Sequence, residues 1–276
     1  MAPELEHRRE SSGHVDFFCR DSLPPPELWP RLSFTLPELA YPPRLNCVSE
    51  LLDARISAGE GERPAIRFPG GLWTYRELQE TVDRIARVLT EDLGLLPGHR
   101  VLLRGPNTPL LAACWLAVVK AGGVIVCTMP VLRVRELVYI ADKARIRLAL
   151  TDARVAAECD QAMERTAEGA PREGARVVHF NGSSGPGSLE ALLRAKLAGF
   201  PACDTAAEDV AAILFTSGTT GQAKGTMHFH RDILAVTDCF PRHILKPASD
   251  DLFCGSPPLA FAYGVGGLLL FPLRAG

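Results

Sequence analysis

Between Leu110 and Leu132 the chain carries a single charge, Lys120, in an apolar run long enough to span a bilayer. Such a run either crosses a membrane or lies buried inside a large core. Ala121, Gly122 and Gly123 divide it into a helix-like half and a strand-like half. This punctuation predicts a buried helix, a tight turn and a buried strand. The segment from Met1 to Glu10 is polar and has no apolar signal-peptide core, so no membrane partner is expected.

The same alternation recurs along the chain. Short apolar runs at Val101–Leu103, Val124–Thr128, Leu148–Thr151, Val177–Phe180 and Val210–Phe215 read as strands. Helical spacing marks Leu45–Ile56, Pro109–Ala121, Val134–Ala144, Leu189–Ala195 and Arg231–Phe240. Strands that are apolar at nearly every position must be covered on both faces. The expected class is therefore α/β, with mostly parallel sheets flanked by helices. Thr74-Tyr-Arg-Glu77 fits a capping box at a helix start, and Asn107 is the expected cap of the helix that follows it. Residues 1–44 are rich in proline and read as an extended N-terminal segment laid over the surface, with a domain from 45 to 276.

Composition narrows the function. A formal net charge of -2 without a Lys/Arg run argues against a nucleic-acid binder, which normally needs a basic face. Eight cysteines, none at C-x-x-C spacing and several in apolar surroundings, read as buried free thiols and suit a reducing cytoplasm. His228-Phe-His230 has no third ligand nearby in sequence, so it reads as ordinary strand and no metal ligand is assigned. No G-x-S-x-G elbow is present.

The chemistry is concentrated in Thr216-Ser-Gly-Thr-Thr-Gly-Gln-Ala-Lys-Gly225, which follows a buried strand and precedes a returning one. Glycines allow positive φ and turn backbone N–H groups inward as an anion nest. Thr216, Ser217, Thr219 and Thr220 add hydroxyl donors, Gly218 and Gly221 supply the bends, and Lys224 brings a mobile positive charge. A polyphosphate needs this many donors within a small radius. The order is not Walker A, because Lys224 precedes Gly225 and no hydroxyl immediately follows the lysine.

This decapeptide resembles the signature loop of the adenylate-forming superfamily, which comprises acyl-CoA synthetases, peptide-synthetase adenylation domains and luciferases. Ala223 departs from it, standing where the family usually has proline before the lysine. His230, Trp73-Thr-Tyr-Arg-Glu-Leu78 and Leu116-Ala-Val-Val-Lys-Ala-Gly-Gly123 are similar to further family segments in the expected order. Pro257-Pro-Leu-Ala-Phe-Ala-Tyr-Gly-Val-Gly-Gly267 corresponds to the segment that lines the acyl pocket, and Ala260, Phe261, Ala262, Tyr263 and Gly264 resemble its benzoate-type version. Small residues there would leave a flat slot whose aromatic side chains meet a ring. His14–Pro30 and Tyr41–Asn46 are similar to 2-aminobenzoate–CoA ligases; benzoate and hydroxylated benzoates stay open.

The resemblance implies a ligase that uses ATP, Mg2+ and CoA on a small aromatic acid through an acyl-adenylate. It assigns the loop residues Thr216, Ser217, Gly218, Thr219, Thr220, Gly221 and Lys224 to the phosphates, with Lys224 in the catalytic role. It also implies an incomplete, N-terminal part of the fold, since the family's adenine, Mg2+ and ribose motifs and its C-terminal lysine find no counterpart in these 276 residues. Little or no ligase activity is then expected of this chain alone, and the apolar stretch Leu268–Gly276 is expected to be exposed. The alternative is a non-catalytic remnant that retains nucleotide affinity. No oligomeric state is assigned.

Overall fold

The computed structural model describes residues 12–182, 185–216 and 222–276. Ser217, Gly218, Thr219, Thr220 and Gly221, the centre of the predicted phosphate loop, lie outside the described residues.

Two strands, β1 (Pro64–Phe68) and β2 (Gly71–Thr74), form a small antiparallel hairpin. Six more build the main sheet: β3 (Arg100–Arg104), β4 (Val124–Thr128), β5 (Leu148–Asp152), β6 (Arg176–Phe180), β7 (Val210–Thr216) and β8 (Lys224–Phe229). Their spatial order is β6-β5-β3-β4-β7-β8; all neighbours are parallel except β7 and β8. The mostly parallel α/β expectation therefore holds. The reason is visible in the side chains. Val101 and Leu103 enter one core and Leu102 the other, as do Ile125 and Cys127 against Val124 and Val126. Successive strand residues point to opposite faces, so apolar character at every position is required where both faces are covered.

The helices are α1 (Ala54–Ser57, continuing a wide turn Ser49–Asp53), α2 (Tyr75–Arg87), α3 (Pro109–Lys120), α4 (Val134–Lys143), α5 (Ala157–Glu164), α6 (Leu189–Leu193), α7 (His230–Phe240) and α8 (Phe271–Ala275). Leu78, Val82 and Ile85 of α2 pack with Leu116 of α3 in the first core, whereas Leu137 and Ile140 of α4 pack with Cys159 and Ala162 of α5 in the second. Full burial of each such aliphatic side chain is worth about 1.5–3 kcal/mol. The run Leu110–Leu132 divides as expected into α3, a turn and β4. Among the described residues no helix is long and apolar enough to cross a membrane.

The capping box at α2 is formed: Thr74 Oγ1 accepts from the Glu77 N–H at 3.2 Å, and the Thr74 N–H donates to Glu77 Oε2 at 2.8 Å. At α3 the cap is Thr108 rather than Asn107, its Oγ1 accepting from the Leu111 N–H at 3.2 Å. Pro109 holds the residue before it in extended backbone, which is N-cap geometry, so the cap falls one residue later than expected.

The proline-rich N-terminal segment is extended between single turns at Phe18–Asp21, Pro26–Leu28 and Pro37–Leu39. It is tied down by the buried Asp209 carboxylate, which accepts from Ser12 Oγ, from the Gly13 N–H at 2.7 Å and from Arg20 Nη2 at 2.8 Å. The apolar stretch Leu268–Gly276 is helical and docked, correcting the expectation of exposure. Leu269, Leu270 and Leu273 are buried in the first core, and Arg274 forks onto Asp238 at 2.7 and 2.9 Å. At helical spacing those leucines share one face, and α7 and the Ser49–Asp53 turn cover it.

Candidate active site

The loop hairpin is built by β7 and β8. Thr216 closes β7 and pairs in register with Lys224, which opens β8. The Thr226 hydroxyl donates to the Leu214 carbonyl at 2.9 Å, stitching the two strands below the loop. Gly225 sits where a Cβ would approach Ile213 Cγ2 to 2.8 Å, so the glycine lets β8 close onto β7. From the far side, Tyr139 Oη of α4 donates to the Ala223 carbonyl at 2.9 Å. Ala223 thus has a tether to α4 at the position where the sequence departs from its likeness. The Lys224 side chain is exposed, and no carboxylate pairs with it among the described residues.

A cavity of about 730 Å³ opens at the carboxyl ends of β4 and β7. Phe215, Thr216, Gln222 and Ala223 from the hairpin and Ala260 and Phe261 from the later segment all line it. Open parallel sheets bind ligands at this edge, where the loops leave the strand ends. The floor comes from the turn after β4. Arg104, fully buried at the end of β3, donates to the carbonyls of Met129 at 2.6 Å, Pro130 at 2.9 Å and Leu132 at 3.0 Å. A planar guanidinium with fixed donors shapes that turn rigidly. Thr128 contributes a buried hydroxyl with no hydrogen-bond partner among the described residues. The Cys127 thiol also lines the cavity, but burial pushes it up to about 12, so it is not a nucleophile near neutral pH.

The acid-pocket segment divides. Ala260 is half-buried and Phe261 is 52% exposed at the cavity mouth. Ala262 and Tyr263 are exposed and are not among the residues lining the cavity, Tyr263 being 75% exposed. Gly264 is buried, and a Cβ there would lie 2.0 Å from the Pro258 carbonyl oxygen, so its place in the segment is steric. Asn107 holds this wall: its Nδ2 donates to the Pro257 carbonyl at 2.9 Å, and its Oδ1 accepts from the Leu259 N–H at 2.8 Å.

Sequence reasoning missed the α4 face (Arg135, Glu136, Tyr139), Thr128, Asn107 as a clamp, and Arg104. The α4 residues read as an ordinary amphipathic surface, and α4 lies about eighty residues before the loop in the chain. Arg104 carried one usable signal, a charge at the end of an otherwise apolar strand.

His228 and His230 do not form a pair. His228 lies in β8, whereas His230 opens α7, fully buried, with its Nδ1 accepting from the Cys47 N–H at 3.2 Å. Burial, with a smaller push from nearby His14, lowers the His230 imidazole to about 3.

The AMP-binding enzyme family matches residues 54–276. This chain belongs to that family. It is 32% identical over 247 residues to the benzoate–CoA ligase of Thauera aromatica, which covers 88% of this chain and 45% of that protein. It is 26% identical to the 3-hydroxybenzoate–CoA/4-hydroxybenzoate–CoA ligase of Thauera aromatica over 84% of this chain and 44% of that protein. The chain thus spans less than half the length of these curated relatives. Among solved structures, the anthranilate CoA ligase AuaEII in complex with anthranoyl-AMP shares the fold, with a TM-score of 0.77 at 21% identity over 87% of this chain and 45% of that one. The ATP-bound MatB of Rhodopseudomonas palustris gives a TM-score of 0.72 at 27% identity, over 83% of this chain and 43% of that one.

Proposed function

We propose that this chain supplies the polyphosphate loop and one wall of the acid pocket of an AMP-forming aromatic acid–CoA ligase. The supporting observation is that Thr216, Gln222 and Ala223 of the loop flanks line the same cavity as Ala260 and Phe261. A carboxylate lying against Phe261 has the loop flanks in the same space. Benzoate and 2-aminobenzoate are the substrates the likeness favours, the first through the 32% identical relative.

The acid's carboxylate oxygen attacks the α-phosphorus of ATP, the α–β bridging bond breaks, and pyrophosphate leaves with the electron pair. The thiol of CoA then displaces AMP and forms the thioester. The first step is helped by in-line positioning and by donors placed where negative charge grows on the departing phosphates. Thr216, Ser217, Gly218, Thr219, Thr220, Gly221 and Lys224 take that role, with the Lys224 ammonium the mobile cation and the Tyr139 tether on Ala223 limiting the hairpin's motion. Phe261 and Ala260 seat the ring; Ala262, Tyr263 and Gly264 shape the segment that carries them. Mg2+ would enter on the phosphates of ATP and offset their charge. Among the described residues no cluster of three His, Cys, Asp or Glu could hold a metal, so none is assigned to it. A cytoplasmic site of action suits the eight free cysteines.

The chain spans under half the length of these relatives, so the reaction above is proposed for the whole protein to which such a chain belongs. ATP–pyrophosphate exchange with benzoate and with 2-aminobenzoate, measured on this chain and on any longer product of the same reading frame, tests the proposal. Acid-dependent exchange is the expected result in the longer form. There, Lys224→Ala should slow exchange by a factor of about 100 or more, the scale of one lost transition-state contact. Unchanged exchange in that variant, or phosphate release without any acid, would sink the assignment.

A further inference from the structure

The opposite edge of the sheet holds a second concavity, about 410 Å³, at the amino ends of β3, β5 and β6. A strand of five residues is about 17 Å long, so this space is separated from the loop by the depth of the sheet. An arginine stands at, or one residue before, the start of three neighbouring strands. Arg100 opens β3, Arg147 immediately precedes β5, and Arg176 opens β6, whose N–H donates to the Arg147 carbonyl at 2.8 Å. Arg145 completes the cationic lining, and His99, whose imidazole burial holds below its ordinary range, adds a neutral polar group.

Arg100 is spent on structure. It is buried, and its guanidinium donates to Asp16 Oδ2 at 2.6 Å and to the carbonyls of Gly98 and Ala144. The other three arginines are exposed, and among the described residues no carboxylate pairs with any of them. Arg176 donates to the backbone carbonyl of Asp92 at 2.9 Å, and Arg145 lies 4.6 Å over the Phe18 ring. Among the described residues Asp16, already bonded to Arg100, is the only acidic one lining the space.

Arg145 is a second, independent pointer. It has φ +49, the left-handed region, at the turn closing α4, where the Ile146 N–H returns to the Ala141 carbonyl at 2.8 Å. That position ordinarily takes glycine or asparagine, because a larger side chain is sterically disfavoured there. Strained backbone of this kind is held by the structure around it and is enriched at functional sites. Here it delivers a guanidinium to a rim that already holds two.

We propose that this concavity is a binding site for a phosphorylated small molecule, with Arg145, Arg147 and Arg176 meeting the phosphate oxygens. Guanidinium forks match phosphate geometry in pairs, and unpaired like charges gathered in one hollow raise the local potential for anions. Phe18, Leu93 and Leu148 supply an apolar side for the organic part of such a ligand. The site is separate from the adenylation cavity and does not depend on the function proposed for it.

The test is calorimetric titration of the whole chain, carrying Lys224→Ala to weaken the loop, with inorganic pyrophosphate. Arg147→Glu combined with Arg176→Glu should weaken binding at least tenfold, and Arg147→Gln with Arg176→Gln should weaken it in the same direction. Arg31→Glu with Arg67→Glu changes net charge equally elsewhere on the surface and should leave affinity within twofold. Circular dichroism of each variant confirms folding, and the glutamine pair carries the test should the charge reversal unfold. No binding by the Lys224→Ala chain, no loss on removing the pocket arginines, or an equal loss from the control pair would overturn the proposal. Loss of exchange in Lys224→Ala alone concerns the adenylation site and leaves this one standing.

Discussion

Lys120 is the residue whose environment most sharply separates sequence from structure. It ends α3 inside the first core and is 1% exposed, with its Nζ at 2.6 Å from Asp83 and 2.7 Å from Asp53. A buried ammonium is tolerable only while paired, because both partners forfeit hydration. Asp83 is itself buried and accepts a second bond from the Gly199 N–H at 2.9 Å. Lys120→Ala therefore leaves a carboxylate stranded, and the expected loss is about 3–5 kcal/mol in urea unfolding. Asp53→Asn, on the more exposed partner, should cost less. Equal stability of Lys120→Ala and the parent chain would contradict the packing described for α2 and α3. In sequence, Lys120 was visible as the lone charge of an apolar run; its two partners were not, since they lie 67 and 37 residues away.

At the scale of elements, the site is a matter of which strand ends face which loops. The β7–β8 hairpin was legible because a buried strand, a glycine-rich turn and a returning strand follow one another locally. The acid-pocket wall was legible only as a stretch of small and aromatic residues, because its placement is set by Asn107, 150 residues earlier in the chain. Asn107→Ala removes two hydrogen bonds to Pro257 and Leu259. A stability loss of about 1–2 kcal/mol follows from the usual net value of such bonds. Because Leu259 precedes Ala260, the proposed function predicts that the same change weakens binding of the aromatic acid, read in any longer form of the protein as a raised KM with kcat less affected. A lower kcat at unchanged KM would place Asn107 in chemistry rather than in holding the wall. The cap of α3 shows a complementary point: the choice between Asn107 and Thr108 turned on the backbone restriction that Pro109 imposes, which a pattern of residue types does not weigh.

For the whole molecule, the N-terminal segment, the sheet and α7 meet at one buried polar centre. His14 is lowered chiefly by burial, as is His230 at about 3 against an ordinary value of 6.5. Both imidazoles are neutral in the folded chain, whereas the unfolded chain binds protons on them below about 6.5. The unfolded state thus holds more protons in that window, so stability rises with pH. The contribution is complete above about 6.5 and is lost progressively as pH falls toward 3. Thermal melts should show Tm falling between pH of about 7 and 5, before most carboxylates titrate. His230→Asn should lower stability at neutral pH and flatten that slope; an unchanged slope would mean that these imidazoles stay accessible to solvent.

The sequence by itself determined what local rules can carry. Strands apolar at every position required a sheet covered on both faces, a buried strand, a glycine-rich run and a returning strand required the β7–β8 hairpin, and Thr74 with Glu77 required a helix start. Tertiary structure decided what depends on distant pairs. It buried the C-terminal leucines against α7, left Tyr263 out of the cavity lining while keeping Phe261 at its mouth, and set Tyr139 against Ala223. It also gathered arginines from three strands at one edge. Periodicity records which face of an element is apolar, but the partner of that face is chosen by packing over the whole chain, and no local pattern encodes that choice.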